Sequence, residues 1–85
     1  MPYIRKSDRG QFNGYVENLA SRIRGPGELN YVLSLLLYRL WQRNPGYFTG
    51  NELMGCLRCV GLEFYRRILG PYEDNARREH GDYLD

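Results

Sequence analysis

The run Leu29-Asn30-Tyr31-Val32-Leu33-Ser34-Leu35-Leu36-Leu37-Tyr38-Arg39-Leu40-Trp41 constrains this chain more than any other stretch. Wound as a helix it is apolar around most of its circumference, so it demands protein neighbours on several sides. It is shorter than the ~20 residues a hydrocarbon core requires, and it carries Asn30, Ser34 and Arg39, so it does not read as a membrane span. Gly25-Pro26-Gly27-Glu28 marks its start. Pro26 suits the first helical position, where a missing N–H forfeits no bond, which makes Gly25 the N-cap and sets the Glu28 carboxylate near the positive end of the helix dipole. A helix over 26–42 follows, with every other element available to cover it.

Two further helices flank it. Phe12, Tyr15, Val16, Leu19, Ala20 and Ile23 recur at helical spacing, and Ser7 or Asp8 is the expected N-cap of a helix over 8–23. Thr49-Gly50-Asn51-Glu52 reads as a capping box, with Phe48 stapled to Leu53, and predicts a third helix over 50–69. Leu53, Cys56, Leu57, Val60, Phe64 and Ile68 form its main apolar stripe, and Met54, Leu62, Tyr65 and Leu69 a second one. Gly70-Pro71 is expected to break or sharply kink that helix, because proline lacks the N–H and collides with the preceding turn. The charged tail, 71–85, is expected to hold a helical turn or two through Glu73 to Glu79, with a stop at Gly81.

Short connections between three helices imply a compact antiparallel all-α bundle, one domain over 1–85, with the second helix central. A chain of 85 residues buries little more than about 60% of its unfolded surface. The second helix nevertheless has apolar residues to spare. Leu29, Val32, Leu33, Leu36, Leu37 and Leu40 make its densest stripe, and Tyr31, Leu35, Tyr38 and Trp41 fall outside it. A thin bundle cannot cover both sets and the second stripe of the third helix, so self-association is expected, as a symmetric homodimer.

The words Pro26-Gly27-Glu28-Leu29-Asn30-Tyr31, Glu63-Phe64-Tyr65-Arg66-Arg67, Pro71-Tyr72-Glu73-Asp74 and Gly81-Asp82, in that order, resemble a family of short uncharacterised proteins of bacteria and tailed phages. The resemblance spans nearly the whole chain. Family members often carry Thr before the first word and Asn before the last, where this chain has Gly25 and His80. The resemblance implies a helical fold and no particular activity.

Candidate chemistry is sparse. Cys56-Leu57-Arg58-Cys59 has the spacing of a redox pair or of half a zinc site, but both thiols fall inside a helix with no preceding strand, and His80 is the one histidine. They are expected to be buried or half-buried packing residues. Glu28, Glu52, Glu63, Glu73 and Asp74 are candidates for paired carboxylates that hold a divalent metal or do acid–base work, but two of them already serve helix starts. No phosphate-binding glycine loop follows a strand. The net charge of +2 balances twelve basic residues against ten acidic ones, which argues against a polycation.

Arg39, Arg43, Arg58, Arg66 and Arg67, interleaved with Tyr65, form the best candidate for nucleic-acid contact, because arginine grips phosphate and tyrosine stacks on bases. The competing interpretation is a solvated face neutralised by Glu63, Glu73 and Asp74. Tyr and Arg also favour protein interfaces. The expectation is therefore a non-catalytic, self-associating interaction module with Tyr31, Leu35, Tyr38, Trp41, Tyr65 and Arg66 at its contacts. An accessory nucleic-acid binder is the alternative and a metal-assisted enzyme the remotest. No cofactor or membrane association is expected, a further protein partner is allowed for, and with no apolar signal region after Met1-Pro2-Tyr3-Ile4-Arg5-Lys6 the expected location is cytoplasmic.

Overall fold

A computed structural model of the chain describes residues 3–84. It contains α1 (Lys6–Arg22), α2 (Pro26–Gln42), α3 (Tyr47–Phe64), a π-helical turn (Tyr65–Leu69) and α4 (Gly70–His80). The all-α class holds, with no strand among the described residues. The chain divides into two units, 1–53 and 54–85, with the boundary inside α3. No helix among the described residues is long and apolar enough to cross a membrane.

Three helix signals play out differently from expectation. Neither Ser7 nor Asp8 caps α1. The helix opens earlier, on Arg5, whose carbonyl accepts the Asp8 N–H at 2.9 Å, while Asp8 stands in the first turn, near the positive end of the dipole. The capping box is likewise not used. Gly46 accepts the Gly50 N–H at 3.0 Å, so the chain is already helical from Tyr47 and Thr49 lies within the first turn. Phe48 is therefore a helical residue rather than a staple, and it is exposed. The third difference, at Gly70-Pro71, belongs to the candidate site. By contrast α2 opens on Gly25 with Pro26 in its first turn. The Glu28 carboxylate reaches back to the Arg24 N–H at 2.7 Å, so the residue at the positive end of the dipole also satisfies a backbone donor ahead of the helix.

Packing gives the more consequential result. No described residue is buried. Within the first unit α1 and α2 do not pack along their lengths. They approach only near the turn between them, where Leu19, Ile23, Tyr31 and Val32 help line an open pocket of about 360 Å³. Much of the apolar stripe of α2 is open in consequence: Leu29 is 45% and Leu36 51% exposed.

Candidate functional site

The junction between α3 and α4 is where the chain departs most from a regular helix. Gly70-Pro71 does not break it. The N–H of Gly70 donates to the carbonyl of Tyr65, five residues back, and α4 continues directly. Proline explains why the turn is wide. In a regular helix the ring of Pro71 would collide with the carbonyl four residues earlier, at Arg67, and a π turn relieves that crowding without ending the helix. Gly70 sits at a crowded point: a Cβ there would stand 3.0 Å from the Tyr65 carbonyl oxygen and 3.6 Å from its ring.

Side chains tie the two helices across this turn. The Tyr65 hydroxyl donates to Glu73 Oε1 at 2.7 Å, linking the start of the π turn to the first turn of α4. The bond to the Glu73 carboxylate, then its negative charge, a little desolvation and the charge of Asp74 hold the phenol above the ordinary tyrosine value. On the α3 side Glu63, half-buried, receives Arg66 Nη2 at 2.8 Å and lies 3.8 Å from Arg67 Nη1. On the α4 side Arg77 bridges Asp74 and Asp82, each at 3.6 Å. Gly81 ends α4 with φ +89°, a left-handed conformation that favours glycine, and Asp82 Oδ1 then accepts the Leu84 N–H at 3.0 Å. Such exposed ion pairs contribute little each. Their importance is positional: the words Glu63 to Arg67, Pro71 to Asp74 and Gly81-Asp82 all meet around one turn.

The residues expected at contacts lie in both units. In the first, Tyr31, Leu35, Tyr38 and Trp41 are all exposed along α2, and the Tyr38 and Trp41 rings stack with centroids 6.3 Å apart at 18°. Arg39 donates to Gln42 Oε1 at 3.0 Å, and Arg43 is the C-cap of α2. In the second, Tyr65, Arg66 and Arg67 stand on the π turn and Arg58 is exposed on α3. The sequence did not point to the crowding at Gly70, or to the tie between Tyr65 and Glu73. The available signal was the Gly-Pro pair with a tyrosine five residues before the glycine and a glutamate three residues after it.

Cys56 and Cys59 are free and exposed, which corrects the expectation that they would be buried or half-buried packing residues, because no other helix packs along α3 to cover them. Among the described residues no three His, Cys, Asp or Glu side chains are grouped to hold a metal ion.

No curated protein and no solved structure matches the chain. A family model does match, over residues 1–83, and the chain belongs to that family, described as Domain of unknown function (DUF6899).

Proposed function

We propose that this protein is a small, non-catalytic helical module that works by self-association, as a homodimer, with Tyr31, Leu35, Tyr38, Trp41, Tyr65 and Arg66 at contact surfaces. One observation carries this: a chain with 42% hydrophobic residues buries none of those described. Burial of apolar surface is the main favourable term in folding, and isolated helices of about 12–15 residues or fewer are marginal in water. At 17 residues each, α1 and α2 are only slightly longer, and α1 also carries Gly10 and Gly14. Their stability must come from another surface, and a second copy provides one. Light scattering coupled to size exclusion tests this. The expected result is a dimer mass at tens of micromolar, and a monomer at that concentration would refute it.

A second reading, accessory nucleic-acid binding, draws support from the exposure of Arg39, Arg43, Arg58, Arg66 and Arg67. Glu63 beside Arg66 and Arg67 weakens the positive field there. Binding to single-stranded DNA that falls steeply with salt would favour this reading, and no binding at low salt would remove it. A cytoplasmic setting and a bacterial or phage origin rest on the sequence alone and belong to the same proposal.

A further inference from the structure

Cys56 and Cys59 are the two thiols of the chain, and neither the fold nor the proposed contacts use them. They stand in the regular part of α3, well after its start at Tyr47 and before the π turn. Three residues make nearly one full turn, so their Cα atoms lie about 5 Å apart and roughly 60° apart around the axis. Their Cβ atoms are about 5–6 Å apart on one face. A thiolate–metal bond is about 2.3 Å long, taking the length to zinc, so two sulfurs on opposite sides of one ion stand roughly 4.6 Å apart. Rotation about each Cα–Cβ bond brings the sulfurs to that separation and leaves the helix as it is. Helical side chains tilt toward the N-terminus, so the Cys59 thiol leans over the turn that holds Gly55 and Cys56. Gly55 puts no side chain in that space, and a Cβ built there would meet nothing within 4 Å.

The donor set selects the ion. Thiolates are soft ligands, which favour copper(I), zinc and iron–sulfur clusters over the hard cations. Zinc and the clusters ask for more donors than two thiolates. Among the described residues no third His, Cys, Asp or Glu joins the pair. Glu63, one turn beyond Cys59, is held by Arg66 at 2.8 Å. We infer that Cys56 and Cys59 chelate one copper(I) ion within a single chain. Each thiol releases its proton to solvent, two copper–sulfur bonds form, and copper stays monovalent, so the product is a bis-thiolate centre with one negative charge. Arg58, exposed and adjacent to Cys59, carries a positive charge beside it. The site is complete in one chain and is therefore independent of the self-association proposed above.

The test moves one thiol around the helix. Copper(I) is supplied to the full chain under nitrogen as its bicinchoninate complex, whose visible absorbance reports the copper that the protein withdraws. The parent chain should withdraw one ion per chain, and Cys59→Ser should abolish this. Cys59→Ser with Val60→Cys returns the second thiol to the same face, one turn from Cys56, and should restore withdrawal. Cys59→Ser with Arg58→Cys keeps two thiols but sets them roughly 160° apart around the axis, and should not restore it. A parent that withdraws no more copper than Cys59→Ser would overturn the site, and so would an Arg58→Cys variant as effective as the parent, since thiol count and not the shared face would then matter. If a variant loses helicity by far-UV circular dichroism, X-ray absorption at the copper edge of the parent complex decides. Two sulfur neighbours per copper are expected, and three or four would overturn the two-thiolate site.

Discussion

α2 and the run from α3 through the π turn into α4 are both helical, but they come from opposite kinds of sequence. α2 has a consistent set of local instructions: Gly25 and Pro26 at its start, Glu28 in its first turn and a dense run of leucines after that. The second run carries a strong contrary instruction, Gly70-Pro71, in its interior, and stays helical by widening one turn around it. A proline signal therefore fixes where a helix must adjust, and the neighbours decide how. Here Gly70 leaves room for the Tyr65 carbonyl, and Tyr65 reaches across to Glu73.

Substitutions in the two regions sharpen this contrast. The largest effect is expected at the α2 face. Trp41→Ala removes an exposed aromatic from the proposed contact and should weaken self-association by about 2 kcal/mol, roughly 30-fold in Kd. Sedimentation equilibrium reads this directly. At the π turn the sign is diagnostic. Gly→Ala within a helix ordinarily stabilises by up to ~1 kcal/mol, whereas Gly70→Ala should destabilise by about 1–3 kcal/mol, because its Cβ meets the Tyr65 carbonyl. A higher Tm for Gly70→Ala would show that the wide turn does not need glycine.

A smaller effect is expected from pH. Because the Tyr65 phenol is raised above its ordinary value of 10.0, its tie contributes in full below that value and is lost as pH rises through the folded-state value. Tyr65→Phe should therefore lower Tm near neutral pH, and the gap to the parent should close under alkaline conditions. Glu73→Gln should bring the phenol back toward its ordinary value, as followed by ultraviolet absorbance of the phenolate. The smallest effect belongs to Glu63→Gln. Its pairing with Arg66 is exposed on the arginine side, so the cost should stay below about 1 kcal/mol and shrink further with salt.

What the sequence made legible follows from the range of each interaction. The Gly25-Pro26 start acts within one turn and is visible as a word. The stop at Gly81 is equally local, since a left-handed residue closes the helix that precedes it. The capping box at Thr49 was also a local word, yet a competing start at Gly46 lay only one turn away and extended the helix past it. The π turn was not legible because it depends on an i to i−5 bond and a tie spanning eight residues, neither of which has a fixed motif. Surplus apolar surface on α2 was legible as a count of unmatched residues. Its extent was underestimated, because intrachain cover for the main stripe was assumed and none of the described residues is buried.

Dilution is the most direct test of the central claim, that helices without buried residues in one chain are stabilised by a second copy. Far-UV circular dichroism and sedimentation velocity should be recorded together from about 100 μM downward. Self-association predicts that helicity and mass fall together as the dimer dissociates. Full helicity retained in a monomer at the lowest concentration would contradict it.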